Sequence, residues 1–362
     1  MFPFFILSAD AFVSCDFTPD LLYDKRMKDM DYEKLYDIYG TGGAHFLHPY
    51  CDTDAMQRLT HIGMNCGLEY TGFPMFAGMD RYTRYMHSLG TAYIIWRFTG
   101  NPVQALSGLF HDIATPGFAH VVDFIHGDQI KQASTESLTE EVIRNDCGIT
   151  GLLTAANIAI CDVSDYHLYP VADNDSPRLS ADRLEYTCGN IVQFGIDGTS
   201  FIRSVFEDLE TGNNEFGETE IMFRNIDTAR QFALYALECG KIYCSPEDRY
   251  SMQILADILK EGIRSGFLTE KDLMKTEEHI IAKLENSSLC QRWSRFRNMN
   301  HLLISEKQME GEGWITVRTK KRYIDPFIKG TGRLSTADPL FAAMVKEYLS
   351  DPMTIWMKGV HQ

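Results

Sequence analysis

Apolar residues recur every three or four positions along most of the 362-residue chain, and this spacing predicts a mostly α-helical fold. Leu89, Ala92, Tyr93 and Ile95, for example, mark the buried face of a helix that the glycine and proline at 100–102 should end. The predicted helices cover residues 54–63, 87–98, 102–112, 118–126, 137–145, 150–161, 180 onwards, 226–264 with a break at 245–247, 269–284 and 339–349.

The pattern changes after residue 312. Residues 314–319 and 321–325 alternate between polar and apolar side chains and are rich in β-branched and aromatic residues, so they predict two β-strands. We therefore expect a large helical body followed by a small segment that contains strands.

Charge and cysteine content limit the class of protein. A net charge of -16 argues against general nucleic-acid binding, which needs clustered lysine and arginine. Nine cysteines without a CxxC pair indicate reduced thiols in a cytoplasmic protein rather than a disulfide framework. No stretch has the features of a signal peptide or of a membrane-spanning helix. We expect a cytoplasmic protein that binds neither membranes nor nucleic acid in general.

The strongest chemical signal is the pair His111-Asp112 at the end of an apolar helix. A desolvated carboxylate there is costly unless it is ion-paired or bound to a cation. His87 and Asp182 would have to arrive from other helices to complete a metal site. Imidazole and carboxylate donors suit Mn, Fe, Co, Ni or Zn, and suit Mg less well. Spacing alone leaves ordinary hydrogen-bonded core histidines as the other interpretation.

These residues also carry a family resemblance. Residues 57–59 resemble a QRL motif, 84–90 an RxxHSLG motif, 111–120 an HDLGHxPFxH motif, and 182–186 a DxxDY motif. In this order they resemble the H…HD…D signature of the HD phosphohydrolase superfamily, and most closely its deoxynucleoside triphosphate triphosphohydrolase branch. The resemblance covers about residues 45–190. It implies an HD-domain helical bundle with a small strand-containing C-terminal segment.

The resemblance also implies a role for each matched residue. The implied metal ligands are His87, His111, Asp112 and Asp182. The implied catalytic residues are His120 as general acid, Asp123 orienting it, and Glu136 in support. The implied substrate contacts are Arg84 and Arg183 with phosphate, Tyr186 with the ribose, Asn190 near the sugar 3′-hydroxyl, and Thr115 near the phosphates.

Two departures bear on the reaction. Thr115 stands where triphosphohydrolases usually have a histidine near the phosphates, and Thr135 stands where they have the histidine of a His-Glu pair. The leading hypothesis is a metal-dependent (d)NTP triphosphohydrolase in which metal-activated water attacks phosphorus. The alternatives are a phosphatase acting on nucleoside monophosphates or another phosphate ester, and a nucleotide-binding regulatory protein with a diverged site.

The resemblance further implies one divalent transition metal (Mn, Fe, Co, Ni or Zn), with Mg accompanying substrate. It implies a small-molecule nucleotide or phosphate ester as ligand and a homo-oligomer of at least two chains. We divide the chain into an N-terminal extension (1–44), the HD core (45–200), a helical continuation of that core (201–311) and a small α+β C-terminal segment (312–362).

Overall fold

The computed structural model describes residues 32–127, 130 and 138–360. Within them the fold is mostly α-helical, with few strands, as the hydrophobic pattern predicts. The helices of the first half are α1 (Glu33–Tyr39), α2 (His48–Cys51), α3 (Asp54–Arg58), α4 (Arg84–Thr99), α5 (Pro102–Phe110), α6 (Val121–His126), α7 (Thr139–Asn145), α8 (Cys147–Ala155) and α9 (Ala181–Gln193).

The second half continues with helices and carries the strands. Its helices are α10 (Thr199–Asp208), α11 (Ile226–Tyr243), α12 (Pro246–Arg264), α13 (Glu270–Leu273), α14 (Glu277–Glu285), α15 (Cys290–Arg297), α16 (Leu334–Ala337) and α17 (Pro339–Ser350). The strands are β1 (Leu209–Asn213), β2 (Thr219–Phe223), β3 (His301–Ser305), β4 (Phe327–Ile328), β5 (Gly332–Arg333) and β6 (Trp356–Val360).

Two small sheets join distant parts of the chain. One has the order β1-β2-β4-β5, in which the β1–β2 hairpin meets β4 through the parallel pair Phe223 and Ile328. The other is the antiparallel pair β3–β6, with His301 opposite Val360. The C-terminal segment is thus attached to the helical body by strand pairing at two places.

Two apolar clusters form the interior. The larger one joins α1, α4, α5, α9, α10 and α11, and the fully buried Leu109 and Ile191 belong to it. The smaller one joins α6, α12, α14 and α15 around Phe118 and Trp293. α4 packs against both α5 and α9, which brings together the three helices that carry the candidate metal ligands.

Several predicted helix boundaries shift for local reasons. α4 begins at Arg84 rather than at residue 87, because the Thr83 side chain accepts the Met86 amide and caps the helix one turn earlier. The helix predicted over 150–161 covers Cys147–Ala155 because Asp146 caps it. The helix predicted over 269–284 is two helices, α13 and α14, and the second starts from a new cap at Thr276.

The strands predicted at 314–319 and 321–325 are wrong. These residues run extended but form no ladder, apart from a single bridge between Ile315 and Met357. The alternation itself is real, because Val317 and Thr319 are buried while Arg318 is exposed. Alternating polar and apolar side chains show that an extended segment is buried on one side. A strand also needs a neighbouring backbone to pair with. The domain boundaries and the expected homo-oligomer stay predictions.

Candidate metal centre and cavity

Three side chains converge from three helices. His87 lies in the first turns of α4, His111 directly follows α5, and Asp182 lies in the first turn of α9. Ser180 caps α9, since its side chain accepts the Arg183 amide. The caps fix where each helix begins, and the packing of α4 between α5 and α9 fixes how the side chains meet.

The donor atoms of these residues lie close together. Nε2 of His87 is 3.0 Å from Nε2 of His111 and 3.0 Å from Oδ1 of Asp182. Nε2 of His111 is 3.5 Å from the same carboxylate oxygen. Donors about 2.1 Å from a shared ion are separated by about 3.0–3.4 Å at octahedral or tetrahedral angles. The observed separations therefore fit one metal ion.

The hydrogen bonds behind the imidazoles strengthen this assignment. Nδ1 of His87 lies 2.5 Å from Oε2 of Glu185, and Nδ1 of His111 lies 2.6 Å from the Gly108 carbonyl oxygen. Both partners accept hydrogen bonds, so each neutral ring carries its hydrogen on Nδ1 and its lone pair on Nε2. Two lone pairs and a carboxylate oxygen then face one another, an arrangement that a cation between them stabilises.

Asp112 stands beside this cluster and is shared with Arg84. Its Oδ2 is 3.6 Å from Nε2 of His111 and 2.8 Å from Nη1 of Arg84. Burial raises the pKa of Asp112, but the charge and the hydrogen bond of Arg84 hold the pKa well below its usual range. Oδ1 accepts a hydrogen bond from the Thr115 hydroxyl at 3.0 Å. Asp112 is therefore a carboxylate placed to serve as a fourth ligand.

Glu185 is the functional residue to which the sequence analysis assigns no role. It is completely buried and accepts hydrogen bonds from the hydroxyls of Tyr32 and Tyr82 as well as from His87. The close approach depends on Gly90, where an added Cβ would lie 2.6 Å from Oε1 of Glu185. A sequence signal existed, because Glu185 lies three positions after Asp182 and shares its side of α9.

A cavity of about 610 Å³ opens beside the metal cluster, a size suited to a small organic ligand. Apart from Glu136, which lies outside the described residues, every predicted site residue lines it. Besides the four candidate ligands these are Arg84, Thr115, His120, Asp123, Arg183, Tyr186 and Asn190. The cavity also has lining residues that the sequence analysis assigned no function, among them Tyr166, His167, Tyr243, Asp248, Lys320 and Arg322.

His120 is presented to the cavity by an unusual turn. Phe118 and Ala119 both have left-handed backbone conformations, with φ of 63° and 46°. Such conformations cost energy for residues other than glycine and are concentrated at functional sites. Nδ1 of His120 is 3.0 Å from Oδ2 of Asp123, a contact that holds the ring in one orientation. Burial keeps the pKa of His120 below its ordinary value.

Arg183 is held by the protein itself. Its guanidinium lies 2.9 Å from Oδ1 of Asp173 and also donates to Asn174 and to the Arg178 carbonyl. These contacts fix its position at the cavity wall but use much of its donor capacity. Arg183 therefore supplies a positive wall rather than a mobile side chain.

Asn190 has an unused acceptor at the cavity wall. Its Nδ2 donates to the Tyr243 hydroxyl at 2.7 Å, while its Oδ1 is buried without a hydrogen-bond partner. A buried acceptor without a donor costs about 1–3 kcal/mol, which a ligand hydroxyl or amine would recover. The position is suited to recognising a donor group of the substrate.

His45 and His48 lie three positions apart, but no third histidine, cysteine or acidic side chain in the described part of the chain joins them. Their rings lie 5.4 Å apart, edge to face, as in an ordinary aromatic contact. Among the described residues, the group of histidine, cysteine and acidic side chains that could hold an ion is His87, His111 and Asp182.

Comparison with known proteins gives a distant relationship. No protein-family model matches the chain. It is 25% identical over 208 residues to the uncharacterized protein YdhJ of Bacillus subtilis, covering 57% of this chain and 62% of that protein. It is 27% identical over 140 residues to the metal-dependent phosphohydrolase cns2 of Cordyceps militaris, covering 39% of each chain. This chain is a distant relative of a metal-dependent phosphohydrolase.

The matched regions span less than two thirds of either relative. The fold resembles the crystal structure of a hypothetical protein from Aquifex aeolicus, with a TM-score of 0.61 and 16% identity. That similarity covers 88% of this chain and 92% of the other, and it concerns the fold alone. Across residues 32–127 and 138–360, no helix combines the length and apolar character that crossing a bilayer requires.

Proposed function

We propose that this protein is a metal-dependent phosphohydrolase that acts on a nucleotide. One observation carries the proposal: both imidazoles have Nδ1 engaged, so two Nε2 lone pairs and Oδ1 of Asp182 converge within 3.0–3.5 Å. The distant relationship to a metal-dependent phosphohydrolase supports the same chemistry. We assign the metal to His87, His111 and Asp182, with Asp112 as the fourth ligand.

A divalent cation at such a site supplies Lewis-acid activation of a phosphoryl oxygen and of a water molecule. The remaining steps belong to side chains. Water attacks phosphorus, the bond from phosphorus to the leaving oxygen breaks, and His120 supplies the proton which that oxygen needs. A bound phosphate would raise the lowered pKa of His120 and so load the ring with a proton. Asp123 keeps the ring oriented throughout.

The proposal that the substrate is a nucleotide rests on two further side chains that line the cavity. Tyr186 offers an aromatic face for a sugar, and the unpartnered Oδ1 of Asn190 offers an acceptor for a sugar hydroxyl. Arg84 and Arg183 add positive charge beside the metal cluster. We take release of triphosphate from a (d)NTP as the leading reaction because the motif resemblance favours that branch.

A phosphatase that acts on a phosphate monoester is the second candidate. It is favoured by Thr115, which stands where triphosphohydrolases usually have a histidine near the phosphates and whose hydroxyl donates to Asp112. In this reaction the same metal cluster and His120 would release orthophosphate.

A product-resolved hydrolysis screen tests both candidates. Wild-type protein with Mn, Co, Ni or Mg is incubated with ribo- and deoxynucleoside tri-, di- and monophosphates. Asp182→Ala removes a metal ligand, and Asp52→Ala, an exposed position, is the matched control. Triphosphate formed by the wild type and lost only in Asp182→Ala supports the leading reaction. Orthophosphate from a monophosphate selects the second, and no turnover by metal-loaded protein contradicts the proposed function for these substrates.

A further inference from the structure

One buried carboxyl group in the cavity wall receives no hydrogen bond. Asp248 lies in the first turn of α12, is 8% exposed and lines the cavity. Its backbone amide donates to the Ser245 hydroxyl, but no group within residues 32–127 and 138–360 donates to its carboxyl oxygens. Neither the metal cluster nor the proposed proton transfer uses this side chain.

The neighbouring arginines do not supply the missing donors. The Arg249 guanidinium donates instead to backbone carbonyl groups, among them that of Cys244 at 3.0 Å and that of Val317. Arg322 acts on Asp248 through its charge alone. Burial raises the pKa of Asp248 well above its usual range, and the charges of the two arginines do not cancel that rise. A buried carboxyl group without donors is costly, and hydrogen bonds from a bound ligand would offset the cost.

The part of the cavity next to Asp248 is apolar. Met252 lies one turn further along α12 and also lines the cavity. Burial raises the pKa of the Cys66 thiol, and the charge of Asp248 adds to the rise, so these two side chains lie close together. Cys66 and Met252 belong with Leu68 and Phe76 to the smaller apolar cluster, and all four line the cavity. Such a wall suits the flat faces of an aromatic ring, while the carboxyl group suits polar atoms at the edge of the ring.

This apolar part lies on the side of the cavity where His120 stands. Burial lowers the pKa of His120, and the charges of Arg84 and Arg322 lower it further. The charge of Arg322 also opposes the rise in the pKa of Asp248, so Arg322 lies near both groups. In the leading reaction His120 protonates the leaving oxygen, which belongs to the nucleoside. The nucleoside therefore extends towards Asp248.

A carboxyl group is complementary to the amino edge of a nucleobase. Its ionised form offers two acceptors, which match the two neighbouring N–H donors of guanine. Its protonated form offers one donor and one acceptor, which match the ring nitrogen and the amino group of adenine. Both forms accept a hydrogen bond from the exocyclic amino group. Hypoxanthine has no amino group, so it cannot make this contact.

We propose that Asp248 recognises the nucleobase and selects bases that carry an exocyclic amino group. The ligand class is a nucleoside or nucleotide whose ring packs against Met252 and the neighbouring apolar side chains, while its amino group donates to the Asp248 carboxyl. This inference rests on the proposed function for the nucleotide. Base recognition can be measured separately with nucleosides, which carry no phosphate to hydrolyse.

The test is a calorimetric titration of the full chain with guanosine, adenosine and inosine. Inosine is the matched ligand for both of the others, because its base lacks the amino group of guanine and has an oxo group in place of that of adenine. We expect the wild type to bind at least one of the amino-bearing nucleosides about tenfold more tightly than inosine, the usual size of one hydrogen bond to a charged group. A preference for guanosine identifies the ionised carboxyl as the reader, and a preference for adenosine identifies the protonated one.

Variants at Asp248 test whether this side chain causes the preference. Asp248→Ala should bind the three nucleosides with similar affinity. Asp248→Asn keeps one donor and one acceptor, so it should keep a preference for adenosine but lose a preference for guanosine. Glu247→Ala is the matched control and should keep the wild-type preference, since Glu247 is an acidic residue of the same helical turn that does not line the cavity. Melting temperatures establish that each variant is folded.

The outcomes separate this proposal from the proposed function. A preference lost in Asp248→Ala and kept in Glu247→Ala supports base recognition even if the hydrolysis screen finds no substrate. Four results would overturn it: no nucleoside binding by the wild type, no preference over inosine, an unchanged preference in Asp248→Ala, or an equal loss in Glu247→Ala. Each of these would leave the proposed hydrolysis at the metal cluster intact.

Discussion

Replacing Glu185 by glutamine should weaken metal binding although Glu185 is not a ligand. The carboxylate lies directly behind His87, accepts the Nδ1 hydrogen and so directs the Nε2 lone pair into the cluster. Glutamine keeps the size of the side chain and one acceptor oxygen, but it removes the negative charge. Loss of such a supporting carboxylate typically costs about 10–100-fold in metal affinity, or roughly 1.4–2.7 kcal/mol.

The fold should tolerate this substitution. The amide oxygen can still accept from His87 and Tyr82, while the amide nitrogen would face the Tyr32 hydroxyl, which can rotate to accept. We expect a loss of about 1–2 kcal/mol in unfolding free energy. Glu185→Ala would instead leave three buried donors without an acceptor and should be far less stable.

The assay is a chelator-competition titration of metal-stripped protein with Mn and Zn, together with the melting temperature of each variant. Tyr32→Phe is the matched control, since it removes one donor to Glu185 but keeps the carboxylate behind His87. It should bind metal almost as tightly as the wild type. A folded Glu185→Gln with wild-type affinity, while Asp182→Ala loses binding, would refute the role assigned to Glu185.

Three further predictions concern other parts of the molecule. Burial raises the pKa of Glu69 from 4.5 to about 8, so the unfolding free energy should fall by up to about 5 kcal/mol as pH rises from 4.5 to 8. Denaturant titrations at both ends of this range should show that Glu69→Gln removes most of the fall and that exposed Glu270→Gln keeps it. His120→Gln should lower kcat by about 10²–10⁴ with unchanged metal affinity, and an equal loss of metal binding would contradict its role as general acid. Gly240→Ala should lower the melting temperature, because an added Cβ would lie 2.3 Å from the Arg322 carbonyl oxygen, and an unchanged melting temperature would contradict the close packing of α11 against that backbone.

Local sequence signals account for the elements around the site. The cap at Ser180 and the new helix at Pro246 are predictable because one side chain and its neighbouring backbone decide them. The motifs that contain the candidate metal ligands lie on or next to α4, α5 and α9. These three helices pack together, so motifs that are separate in the sequence meet in the fold. These local signals therefore predict the candidate metal ligands and the cavity residues that lie on the same helices.

The rest depends on contacts between distant residues. The place of Arg322 in the cavity is set by Tyr348 and Gly240, whose positions cannot be read from local periodicity. The same holds for Glu185, whose partner Tyr32 comes from the start of the described chain. The prediction of strands near 314–325 is wrong for a related reason. Alternating polar and apolar side chains show which side of the segment is buried, but they do not show which backbone lies beside it.

The central claim is that His87, His111 and Asp182 hold one divalent metal ion. Anomalous X-ray diffraction from crystals grown with Mn tests it most directly. The account predicts a single anomalous peak bonded to both Nε2 atoms and to the Asp182 carboxylate, absent from Asp182→Ala crystals grown in the same way. Two imidazoles hydrogen-bonded to each other in fully Mn-loaded crystals, with no peak between them, would contradict the account.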